Sequence, residues 1–216
     1  LDDLPLCGFI FKSKSPSSGL FRVKVYTDGN PTNMGRGIFA QGFTERYPLL
    51  PVEEDGRLND SKLRENFIER IFAVQRWREL NQKSKTIASL TDFHANHKYA
   101  VMAHCPSSLK TLGNIVANHN KEEIGSVYEN YYSEFITAMK NIATVRKNSN
   151  TLEHIMGYFK NDLSSDEKQE LKEIIDNYHN ELVPLIVPIT LINHFIRKYQ
   201  PEYLEHQYYL NPHPKE

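Results

Sequence analysis

Ile124-Gly125-Ser126-Val127-Tyr128-Glu129-Asn130-Tyr131-Tyr132-Ser133-Glu134-Phe135-Ile136-Thr137-Ala138-Met139 decides the fold. Ile124, Tyr128, Tyr131, Phe135 and Ala138 recur at spacings of three and four, which puts them on one stripe of an α-helix. Ile142 and Val145 continue the spacing, so one long helix is expected to run through them. The same period extends in both directions. Toward the C-terminus, Leu152, Ile155, Met156 and Phe159 form another helical stripe. Ser164 with Glu167 is a capping box for the helix after it. A further helix begins at or just before Pro188, runs to Tyr199 and is stopped by Pro201. The tail at 208–214 reads as extended. Toward the N-terminus, 108–118 is a short helix and 87–104 a longer one ended by Pro106. Asp60 caps a helix that carries Leu63, Phe67, Ile71 and Phe72 inward and Arg64, Arg70, Arg76 and Arg78 outward. The expectation is mainly α: a bundle of about seven helices over residues 59–216, with no sheet.

Residues 1–58 differ. Gly8-Phe9-Ile10-Phe11-Lys12 is a strand candidate, and Phe21 to Tyr26 alternates at period two. Residues 14–19 are loop by their Pro, Ser and Gly content, and Asp28-Gly29-Asn30-Pro31 is a turn. Residues 37–46 suit one helix and 49–53 a last strand. So few elements make a small, partial α/β segment without a core of its own. The opening residues read as the middle of a domain, and the chain is expected to be a piece of something longer.

Composition narrows the function classes. Hydrophobic residues make up 39% and charged residues 25%, enough apolar surface for a buried core. The formal net charge of -1 rules out a uniformly basic polyanion binder, so a nucleic-acid partner needs a local basic face. Two isolated cysteines, Cys7 and Cys105, make no disulfide framework, which points to a reducing, cytoplasmic setting. No apolar run reaches the roughly 18 residues of a membrane span, and no membrane partner is expected.

Three clusters carry the candidate chemistry. His94, His97 and His104 lie three and then seven apart on one helical stripe. They lack the HExxH pattern and an acidic companion, so no metal is expected there. A packed histidine row and a phosphate- or base-contacting stripe are the two readings of it. Arg146 and Lys147, with His154, Tyr158 and Lys160 after them, form a second cluster. Asn193-His194 with Arg197 and Lys198 forms a third. Cations at helix ends also answer the helix dipole, which is the plainer explanation of Arg146-Lys147 and Arg197-Lys198. Acid is gathered elsewhere, at Asp166, Glu167, Glu170, Glu173, Asp176 and Glu181, so one basic face remains open to a near-neutral chain.

Longer motifs carry a resemblance. They are Asp92-Phe93-His94 with His97-Lys98 and Met102-Ala103-His104; Leu112-Gly113 with Val116-Ala117; and His154-Ile155-Met156-Gly157-Tyr158-Phe159-Lys160. Leu182 to Pro188, Asn193-His194 and Tyr209-Leu210-Asn211-Pro212-His213-Pro214-Lys215-Glu216 follow. Over residues 85–216 the chain resembles the YbgA-type domain of unknown function. Gly8 to Gly19, with Arg22-Val23-Lys24-Val25-Tyr26 and the later Leu50-Pro51-Val52-Glu53-Glu54, resembles the end of a TudS-type thiouracil desulfidase domain. That resemblance implies a 4Fe–4S cluster on three cysteines, one in a Ser-Pro-Ser-Cys-Gly loop. Here Ser18 holds that position, and a serine oxygen is a poor ligand for iron beside a soft thiolate. No cofactor is therefore expected in this chain, only in longer relatives with all three cysteines.

Fusions of the two domains look like tRNA thiouridine desulfidases in which the helical domain holds the tRNA. The expected function is a tRNA-binding helical module whose catalytic half is truncated or inactive. The expected contacts are Lys98, Arg146, Lys147, Lys160 and Arg197 for phosphate, and His94, His97, His104, His154 and His194 for shape or base. Two other classes compete: a helical small-molecule enzyme built on the histidine stripe, and a protein-interaction scaffold.

Overall fold

The computed structural model describes residues 4–27, 30–117 and 122–214. The expected turn at 28–31 and the far end of the helix at 108–118 fall partly outside them. The chain divides into two compact units, Leu1–Lys83 and Ser84–Glu216. It is mainly α, with a small strand-bearing segment at the start.

In the first unit, β1 (Phe9–Phe11) pairs in parallel with β4 (Val52–Glu54), Phe9 opposite Val52. β2 (Val23–Thr27) pairs antiparallel with β3 (Asn30–Gly35), a strand the sequence reading missed. α1 (Ile38–Arg46) lies over β1, and the Phe43 ring meets Phe9 at 4.5 Å and Phe11 edge-on at 5.5 Å. Phe11, Leu20, Ala40 and Phe43 make the buried centre.

The loop before Leu20 is clamped onto the start of α1. The Ser17 carbonyl accepts from Phe39 N at 3.0 Å and Ala40 N at 3.2 Å, and Gly37 N donates to Gly19 O at 2.7 Å. These bonds take up donors that a helix start otherwise leaves open. A Cβ on Gly37 would stand 2.2 Å from the Ser17 oxygen, so only glycine fits there.

α2 (Ser61–Asn81) starts where expected, with the Asp60 carboxylate accepting from Leu63 N at 3.1 Å. The sequence reading grouped residues 59–83 with the helices that follow, but α2 belongs to the first unit. Arg78 donates to Leu6 O at 3.1 Å, and Ile71 and Phe67 close around Gly8. Arg70, expected on the outer face, is buried. Burial lowers its pKa, and the Glu53 carboxylate opposes that shift.

The second unit is all helix among its described residues. α3 (Ile87–His104) buries Leu90, Phe93, Tyr99, Val101 and Met102 around most of its girth, as a central helix must. It packs against α4 (Ser108–Ala117), α5 (Ile124–Met139) and α6 (Val145–Met156). α7 (Ser165–His179) lies between α6 and α8 (Ile186–Tyr199). The Ser164–Glu167 capping box forms as read.

Two expectations are corrected. The stripe at Tyr128, Tyr131, Phe135 and Ala138 is fully buried, but the helix does not continue to Val145. Asn141 turns its amide back onto Ala138 O at 2.9 Å, Ile142 is left exposed, and Thr144 caps α6 by accepting from Lys147 N. Local side-chain bonds of Asn and Thr compete here with the helical ladder. The tail is not extended either. α9 (Glu202–Glu205) precedes a turn in which Leu210 N donates to Gln207 O at 3.1 Å. Gln207 reaches Ala95 O at 2.9 Å, and Tyr208 N reaches Asn96 O at 3.1 Å. The tail is thereby docked on α3.

Candidate functional site

α3 places the three stripe histidines at different depths. His97 is 1% exposed, stacked on Phe93 at 3.9 Å, with Nδ1 2.8 Å from the Phe93 carbonyl. His104 is buried as well, its Nδ1 against the Asn141 carbonyl. Both are core residues, which corrects their assignment to RNA contact: the His97 ring is sealed among Phe93, Phe135 and Tyr208, and His104 is 3% exposed. Their apolar neighbours on α3 drew them inward, and backbone carbonyls satisfy Nδ1 in each. His94 is half-buried, with Nδ1 3.1 Å from the Tyr131 hydroxyl. Burial, and secondarily the Lys98 charge, lowers its pKa below the usual histidine value. His154 and His194 are exposed, on α6 and α8. Among the described residues no group of three or more His, Cys, Asp or Glu is arranged to hold a metal ion.

The expected cations stand at the surface. Arg146, Lys160 and Arg197 are exposed; Lys98 and Lys147 are half-buried. Among the described residues none of the five has a carboxylate within ion-pair reach. Lys198 behaves otherwise, pairing with Glu167 at 2.7 Å. Lys147 is committed to the fold: its ammonium donates to the His104 carbonyl at 2.7 Å, closing the last turn of α3. Beside it, the Ser107 and Ser108 hydroxyls hold the Cys105 thiol below its ordinary pKa.

A tyrosine group outside the expected site adjoins Lys98. Tyr158, in the 3-10 turn Gly157–Phe159, stacks on Tyr203 of α9 at 5.2 Å with an interplanar angle of 8°. Tyr99 of α3 meets both edge-on, at 6.2 and 6.4 Å. The Lys98 ammonium lies 5.8 Å from the Tyr99 ring centre and 6.0 Å from that of Tyr203, within cation–π range. Burial, and then the Tyr158 hydroxyl beside it, keeps Tyr99 protonated far above the usual phenol range. Tyr158 itself remains 42% exposed. The sequence joined Lys98 to Tyr99 and Tyr158 to Lys160, but only the bundle brings these stretches and Tyr203 together.

In the first unit, Ser18 is half-buried in the loop clamped to α1, its amide donating to Ser15 Oγ at 3.1 Å. Buried Glu54 straps the loop down by accepting from Leu20 N at 2.7 Å and Phe21 N at 3.1 Å.

The second unit is thus a helical domain in which Lys98 lies against a tyrosine group and His97 and His104 are buried. The chain belongs to the family described as protein of unknown function (DUF1722), whose profile matches residues 98–214. It is similar to the uncharacterized protein YbgA of Escherichia coli (strain K12), 28% identical over 159 residues that cover 73% of this chain and 94% of that protein. No solved structure matches it. Among the described residues no helix is long and apolar enough to cross a membrane.

Proposed function

We propose that the helical unit is an RNA-binding module with tRNA as its ligand, acting in the cytoplasm. The observation that carries the reading is the absence of carboxylate partners at Lys98, Arg146, Lys147, Lys160 and Arg197 among the described residues. Such cations are available to phosphate oxygens, Lys147 apart, whose ammonium donates to the His104 carbonyl, and phosphate contacts supply most of the affinity of weakly specific nucleic-acid binding. The histidine-stripe enzyme loses its support, because His97 and His104 are sealed in the core. A protein-interaction scaffold keeps one observation in its favour: an apolar groove lined by Ile174, Ile186, Val187, Leu191 and His194.

On this reading the first unit is the closing part of a thiouridine desulfidase-like domain. Its residues do not fit an iron–sulfur cluster. The loop offers Ser15, Ser17 and Ser18, hard hydroxyl donors, at the place where the resemblance calls for a thiolate. The Cys7 thiol is pushed up by burial, away from the thiolate a cluster needs. No chemical step is assigned to this chain.

The test is a fluorescence titration with bulk tRNA at two salt concentrations. Binding is expected to weaken steeply with salt, and Arg146→Ala is expected to weaken it and flatten the salt slope by roughly one unit. Lys147→Ala tests the fold as well as the contact, since Lys147 also holds the His104 carbonyl. No binding at low salt, or binding indifferent to Arg146, Lys160 and Arg197 together, refutes the reading.

A further inference from the structure

We propose that Tyr158 is a stacking platform for one unpaired nucleobase, in a tyrosine group whose other two rings, Tyr99 and Tyr203, flank the Lys98 ammonium. The proposal rests on the RNA-binding reading and extends it to residues that reading did not contain. Three features of the geometry point to it. First, the platform is preformed. Tyr158 and Tyr203 already lie parallel at 5.2 Å, so a base on the outer face of Tyr158 continues an existing stack and no ring has to be ordered on binding. Second, Tyr158 keeps 42% of its surface exposed, although Tyr99 and Tyr203 pack against it. Third, Lys98 is held by ring faces in place of carboxylates. Its ammonium lies over Tyr99 and Tyr203 with no acid in ion-pair reach among the described residues. Ring faces position a cation without neutralising it, and that leaves its charge for an anion. A planar, sequence-tolerant surface in the same tyrosine group as a cation without an acidic partner matches a nucleotide of a single strand or loop, where base and phosphate are both presented. A base locked in a duplex cannot reach such a ring.

The experiment uses the full chain and two labelled RNAs of equal charge: a hairpin with an unpaired loop and a fully paired duplex. The wild type is expected to prefer the hairpin. Tyr158→Leu should weaken hairpin binding by about tenfold, leaving duplex affinity and the salt slope of both unchanged. Tyr158→Phe should bind as wild type, because the ring face and not the hydroxyl is used. Arg146→Ala should weaken both RNAs alike. If Tyr158→Leu binds the hairpin as well as wild type while both RNAs are bound, the platform is refuted and the RNA reading stands. If the wild type binds neither RNA, both fall. If Tyr158→Leu weakens both RNAs equally and lowers the melting temperature, the tyrosine only holds the fold, and the platform is again refuted.

Discussion

Asn148 joins three elements through one buried amide, and replacing it should unfasten them together. It is 5% exposed, on α6. Its Nδ2 donates to the Tyr178 hydroxyl of α7 at 3.1 Å, and its Oδ1 accepts from the Tyr209 hydroxyl of the tail at 3.1 Å. Each bond is worth about 1 kcal/mol net, and burial of the deserted polar groups adds about 1–3 kcal/mol. Asn148→Ala should therefore cost roughly 3–5 kcal/mol, a large share of the typical stability of about 5–15 kcal/mol. Tyr209→Phe removes one bond and keeps the ring, so it should cost about 1 kcal/mol. The decisive quantity is the coupling. In urea unfolding followed by circular dichroism, the double variant should be less destabilised than the sum of the singles by about 1 kcal/mol. Additive effects would show that Asn148 and Tyr209 stabilise the unit separately, and would refute the picture of one amide clamping the tail.

Two further outcomes follow from the geometry. Gly37→Ala should destabilise the first unit by about 1–3 kcal/mol in the same urea assay, because the added carbon meets the Ser17 backbone and has no flexible side chain to displace; an unchanged midpoint would mean the loop is not clamped there. Glu167 is held at about 2, below its ordinary 4.5, first by the Lys198 ammonium and then by the Ser164 amide and Tyr199 hydroxyl. Its contribution to stability should be whole above about pH 4.5 and fade as the pH falls through about 2, and Glu167→Gln should flatten that part of an acid-unfolding profile.

The helices were legible wherever their signals are local. Asp60 and Ser164 each cap a helix with a side chain one turn away, and the period at Tyr128, Tyr131 and Phe135 is a property of the segment alone. The misreadings come from competition and distance. The apolar period carries on through Ile142, but Asn141 and Thr144 spend their side chains on backbone groups and end the helix early. Arg70 looked like an outer-face charge, and only the parallel placement of β4 reveals Glu53 as its neighbour. The site divided in the same way. Arg146, Lys160 and Arg197 are exposed, as charged residues near helix ends tend to be. Spacing on a helix could not tell which histidines faced Phe135 and Tyr208. Tyr203 was missed because its link to Tyr158 spans the bundle and leaves no local signature.

The docked tail has a consequence for how the helical unit is made. Gln207 grips the Ala95 carbonyl across a sequence separation of 112, and Tyr209 grips Asn148 across 61. Neither contact exists until residues 207–209 have left the ribosome. Synthesis proceeds at about 5–20 residues per second, so α3 waits several seconds for a contact that helps hold it. During that wait the ring of His97 lacks its Tyr208 cover, and the nascent helices present an apolar flank to solvent. A ribosome stalled just short of Tyr208 would therefore release a chain with every helix through α9 and an unsealed core, the kind of species chaperones and proteases recognise.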